Sequence, residues 1–140
     1  MATKVDYESP SFELFFDDGT RLVTVEMRDP YSTANTTAHG FENSSAQEYA
    51  QAWVDFNLND DNPYVNSIVS EVFEKEIGEN TWYGFTANES LTYQNDGGGK
   101  VLNEEITILV LKKGTLFFTV EYESSFASEV EEFLTTFKFN

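Results

Sequence analysis

An α+β domain, an antiparallel β-sheet flanked by helices in the order β-β-α-β-β-β-β-α, is what this sequence predicts. Three observations carry the expectation. Apolar residues alternate with period two on either side of an Asp-Gly turn. Two segments change to the 3.6-residue period of an amphipathic helix. Residues 106–111 form an unbroken apolar run. Alternation of period two lines one face of a strand, the 3.6 period lines one face of a helix, and a short unbroken run suits a strand covered on both sides.

Taken in order, Phe12, Leu14 and Phe16 alternate with polar neighbours, as do Val23, Val25 and Met27. The intervening Asp17-Asp18-Gly19-Thr20 offers the glycine that a tight hairpin turn needs at positive φ. After a polar stretch over 29–44, Ser45 and Glu48 have the spacing of a capping box. Ala46, Tyr49, Ala50 and Trp53 then mark one helical face, and Asn59-Asp60-Asp61-Asn62-Pro63 ends that helix. Four strands follow as a meander. They cover residues 67–77, then 81–86 resuming at 91–93, then 106–111 and 117–122, with breaks at Gly78-Glu79-Asn80, Asn95-Asp96-Gly97-Gly98-Gly99 and Gly114-Thr115. The last element is a helix whose stripe is Phe126, Val130, Phe133, Leu134 and Phe137. Ser125 or Ser128 is its expected N-cap, and Glu129, Glu131 and Glu132 suit the positive end of its dipole. Residues 1–10 read as a flexible N-terminal segment and 11–140 as a single α+β domain.

The 140 residues carry 25 acidic and 8 basic side chains, a formal net charge of −17. Phosphate binding relies on clustered Lys and Arg, so nucleic acid and an anionic membrane surface are poor partners. With no cysteine, a disulfide scaffold, a thiolate metal site and a Cys nucleophile are excluded. No apolar run approaches the ~20 residues that span a bilayer, so membrane insertion is not expected. The Ser-, Thr-, Asn- and Tyr-rich, Lys-poor composition favours an exported or envelope protein, its leader removed, over a cytoplasmic one.

Each motif that could carry chemistry has a plainer account. His39, the one histidine, lies in the polar run Thr36-Thr37-Ala38-His39-Gly40 without a nucleophile or orienting partner nearby in sequence. Asp55-x-Asn57-x-Asn59 imitates the start of an EF-hand loop, but Asp60 stands where Gly is required and Asn66 where a bidentate Glu is required. Gly97-Gly98-Gly99-Lys100 lacks the spacing of a phosphate-binding loop. Glu104 and Glu105 are adjacent in a strand and so face opposite ways. Asn35, Asn43 and Asn88 each begin an N-x-S/T acceptor pattern. The expectation is therefore no metal, no cofactor and no catalytic residue. Trp82 and Tyr83 are the candidate binding patch, since aromatics anchor sugars and peptides.

The helix over 45–57 ahead of a strand meander, the paired strands 106–111 and 117–122, and the closing Phe133-Leu134-Thr135-Thr136-Phe137-Lys138-Phe139 together resemble the Mog1/PsbP-type α/β/α sandwich. The Pro-x-x-Trp entry of that family is missing from residues 10–40. The resemblance implies a non-catalytic interaction or ligand-binding module, in an exported bacterial setting, acting on a protein or small-molecule partner. It assigns no functional residue. Cystatin-like and NTF2-like folds also combine a helix with a curved sheet. Through them the alternative is a small cofactor-free enzyme with an acidic residue in a pocket.

Overall fold

Between Phe16 and Thr20 the chain reverses as its Asp-Gly sequence requires. Gly19 takes φ 87°, its N–H reaches the Phe16 carbonyl at 3.0 Å, and the Phe16 N–H reaches the Thr20 carbonyl at 2.8 Å. Asp18 completes the turn by accepting from the Thr20 N–H at 2.8 Å, which lowers the pKa of its carboxyl. The computed structural model describes residues 2–6, 11–31, 38, 40–58, 68–95 and 98–138. Its strands are β1 (Ala2–Asp6), β2 (Ser11–Phe15), β3 (Arg21–Arg28), β4 (Ile68–Val69), β5 (Phe73–Ile77), β6 (Asn80–Asn95), β7 (Gly98–Lys113) and β8 (Leu116–Glu123). Helix α1 (Ala46–Leu58) lies between β3 and β4, and α2 (Ala127–Thr135) follows β8 through a 3-10 turn, Ser124–Phe126.

All strand pairs are antiparallel, in the order β1-β2-β3-β8-β7-β6-β4, with β5 also on β6. The α+β order expected from the sequence is present, with three changes of detail. Ala2–Asp6, read as part of a flexible N-terminal segment over 1–10, pair instead with Ser11–Phe15 as an edge strand. The first meander strand is split at Ser70, whose hydroxyl accepts the Thr86 N–H at 2.8 Å while its own N–H goes to the Thr86 carbonyl at 2.9 Å. A side chain thus replaces one rung of the ladder. The third change is that β6 and β7 run for 16 residues each, well past the apolar segments.

Helix α1 begins with the expected capping box: Ser45 Oγ accepts the Glu48 N–H at 3.1 Å and Glu48 accepts the Ser45 N–H at 3.0 Å. These bonds favour the ionised Glu48 and lower its pKa. At the other end of the chain, Ser125 and Ser128 do not cap α2. Phe126 is its N-cap and makes no side-chain cap, because the preceding 3-10 turn brings the chain into the helix.

The two helices take opposite faces of the sheet. On one face, Val130 and Leu134 of α2 are buried with Leu14, Val25, Leu109 and Val120, and Phe126, Phe133 and Phe137 pack around them. On the other, Ala46, Tyr49 and Ala50 of α1 meet Val110 and Phe117, and Val54 meets Phe85, Ile106 and Ile108. Strand β7 feeds both, which is why residues 106–111 are apolar without alternation.

Candidate functional site

Trp82 and Tyr83 are neighbours on β6 and therefore lie on opposite faces. Trp82 is 0% exposed, in the α2-side core, with its ring 6.1 Å from Phe137. Its Nε1 is buried with no hydrogen-bond partner among the described residues. Tyr83 lies on the α1 side, partly exposed, and its hydroxyl donates to Glu74 at 3.3 Å. The negative charge of Glu74 holds the Tyr83 pKa above its ordinary value. The expected two-residue patch does not exist. The aromatic at 82 is structural, and only the one at 83 can touch a partner.

The α1 face has a different polar centre, Arg28 at the end of β3. The residue directly across from it on β8 is Phe117, so its side chain rises on the α1 side. There its NH1 donates to the Tyr49 hydroxyl at 2.8 Å, and Nε and NH2 both donate to Glu26 Oε2, at 3.2 and 2.9 Å. The guanidinium also lies 4.6 Å from the Trp53 ring centroid, a cation–π distance. Tyr49 in turn stacks on Phe117 at 4.6 Å and 22° and meets Phe41 edge-on at 5.2 Å. Burial weighs against the charged guanidinium, but Tyr49 and then Glu26 outweigh it, and the Arg28 pKa ends above its ordinary value. Lys112 holds the approach to the same helix, donating to the carbonyls of Glu42 at 3.1 Å and Ser44 at 2.5 Å.

These bonds make Arg28 a pin between sheet and helix. Arg28→Met keeps the apolar stem and removes the donors, leaving Tyr49, itself 3% exposed, with an unpaired hydroxyl. The expected cost is about 1.5–3 kcal/mol, the range for losing hydrogen bonds to a charged group. Urea denaturation of Arg28→Met beside Glu26→Gln measures it. The second change should be milder, since the Glu26 side chain is 35% exposed. Equal, near-zero effects would remove Arg28 from this role.

Beneath α2 lies a second polar group. Thr107 and Ser124 share a hydrogen bond of 2.7 Å, and Glu131 pairs with Lys75 of β5. Burial, reinforced by the charge of Glu131, pushes the Tyr122 hydroxyl up to about 12.

His39, Asn35, Asn59 and Gly97 lie outside the described residues, while Asp55 is exposed on α1 and accepts from Gln51 Nε2 at 3.0 Å. Gly98, Gly99 and Lys100 belong to β7, paired with Asn95, Gln94 and Tyr93. Glu104 and Glu105 are consecutive on β7, opposite Glu89 and Asn88. Asn43 is exposed in the turn before α1, and Asn88 is exposed on β6. Among the described residues, no three His, Cys, Asp or Glu side chains gather as metal ligands, and no helix is long and apolar enough to cross a membrane. Arg28 escaped the sequence reading because its partners Tyr49 and Trp53 are remote along the chain. The only local signal was a cation on the polar side of an alternating strand. No protein-family model matches the chain, nor does any curated protein.

Proposed function

We propose that this chain is a non-catalytic interaction or ligand-binding module of an exported bacterial protein, of Mog1/PsbP-like layout. The observation that carries the reading is Phe56, which is 71% exposed on a helix that otherwise turns its aromatic side chains inward. Helix α1 already buries Tyr49, Ala50 and Val54 against the sheet, so Phe56 adds nothing to that core. An exposed Phe is an available anchor for an apolar contact surface, on a protein or a small molecule. Helices on the two opposite faces of one sheet support the family reading. An acid-dependent enzyme calls for a carboxyl raised by burial. Asp18 and Glu48 move the other way, held low by backbone N–H bonds.

Phe56→Ser separates binding from stability. A surface substitution shifts stability by no more than about 0.5 kcal/mol, so the melting temperature should hold within about 3 °C. Against a displayed peptide library and a glycan array, wild type should bind a ligand class that Phe56→Ser binds at least about tenfold more weakly, the value of a modest hot spot. Wild type that binds nothing on either, or binds no better than the variant, overturns the reading.

A further inference from the structure

The β6–β7 hairpin continues beyond the sheet that carries it. Strand β8 makes its last pair with β7 at Ile106↔Glu123, and then turns away into the 3-10 turn and α2. On the other side, β4 makes its last pair with β6 at Ile68↔Asn88. From Glu89↔Glu104 to Asn95↔Gly98 the hairpin goes on for seven more pairs. At 3.3 Å per residue that is an arm of roughly 20 Å. Among the described residues nothing pairs with its β7 edge. A two-stranded ribbon alone in water is marginal, and three or more strands are needed for independent stability.

The arm has a charge flaw of its own. Glu89 and Glu104 are direct cross-strand partners, and like charges so placed repel. The sequence along the open edge, Gly98-Gly99-Lys100-Val101-Leu102-Asn103-Glu104-Glu105, has the pattern that would relieve it. Pairing the edge with itself, antiparallel about Leu102, sets Leu102 opposite Leu102 of the second copy. It also sets Lys100 opposite Glu104 of that copy, twice by symmetry. Every residue in this register meets one on the same face, since residues equally far from the centre share parity. The register uses residues 99–105 of each chain and stops one short of Ile106, so β8 keeps all its pairs.

We propose that the β7 edge of this arm is a homodimer contact, in which two arms join as a four-stranded β6-β7-β7-β6 sheet. The occupant of the edge is a second copy of this chain because the edge is charge-complementary to itself when paired about Leu102, a register that leaves β8's pairs intact. The inference stands apart from the reading of Phe56, which lies on α1. Two chains of net charge −17 repel at long range, and at 1 M salt the screening length falls to about 3 Å. Close cross-strand pairs survive that screening better than long-range repulsion does, so dimerisation strengthens as salt rises from 0.05 to ~0.5 M.

Sedimentation velocity on the full chain over a concentration series in ~0.5 M NaCl is the test. Wild type should show a reversible monomer–dimer equilibrium. K100E alone and E104K alone should each weaken it at least about tenfold, by turning two attractions into two repulsions. K100E/E104K should restore it, and an equimolar mixture of the two single variants should form a heterodimer. The rescue and the mixture exclude a mere folding defect. A chain that stays monomeric throughout overturns the proposal, as does a dimer indifferent to both reversals. Failure here with a Phe56-dependent ligand in hand would leave the module reading intact.

Discussion

Gly84→Val is expected to abolish the cooperative fold, and Gly84→Ala to cost at least about 3 kcal/mol, the upper end for overpacking a core. Gly84 lies on β6, paired on both sides, with Leu109 across from it on β7 and Phe73 on β5. A Cβ built there meets the Ile108 carbonyl oxygen at 2.5 Å, Leu109 Cδ2 at 2.6 Å and Phe73 Cζ at 3.1 Å. The two side chains could rotate away. The carbonyl cannot, because its strand is bonded on both sides and Ile108 and Leu109 are buried on opposite faces. Urea denaturation followed by tryptophan fluorescence measures the cost. Gly19→Asn is the control, since nothing lies within 4 Å of its Cβ position and Asn tolerates positive φ. Gly84→Ala within 1 kcal/mol of wild type would disprove the close approach.

Ending the chain at Ser125 is expected to unfold it rather than shorten it. The cut removes Val130 and Leu134, both 0% exposed, and the half-buried Phe126, Phe133 and Phe137. A fully buried apolar side chain contributes roughly 1.5–3 kcal/mol. Domains as a whole are stable by only about 5–15 kcal/mol. The loss is compounded on the sheet, where Leu14, Val25, Trp82 and Val120 would face water. Calorimetry of the truncated chain should show no cooperative transition, and Leu134→Ala in the full chain should lose about 2–5 kcal/mol. A truncated chain that still melts sharply would mean that α2 is an appendage.

What the sequence made legible was local. The β2–β3 turn, the Ser45–Glu48 capping box and the stripe Val130–Phe133–Leu134 each follow from spacings within one turn or one strand pair. Elements that depend on remote partners were not legible. Ala2–Asp6 contain Lys4 and Asp6 and show no apolar alternation, and they become a strand only because β2 offers an edge. The outer half of β6 was legible only in part, as the resumption at 91–93, and that of β7 offers just Val101 and Leu102 among polar residues and glycines, so the length of the paired hairpin was not. Trp82 and Tyr83 show the limit of composition as a guide. Period-two alternation puts one in the core and the other on the opposite face, so composition suggested a patch that strand geometry forbids.

The joint between β3 and β8 has a consequence for how the chain reaches its fold. Arg28 pairs with Phe117 and Thr24 with Glu121, so the middle of the sheet unites the N-terminal hairpin with the last strand. Nearly the whole chain must be searched before that seam can close, and closing so long a loop costs entropy before any contact compensates. During synthesis, β1, β2 and β3 emerge before β8 and wait with β3's inner edge open until β8 has been made. The β5–β6–β7 meander, built from neighbours, can assemble meanwhile. Folding should therefore be slow for a domain of this size, and its exposed intermediate is a half-sheet looking for its missing strand.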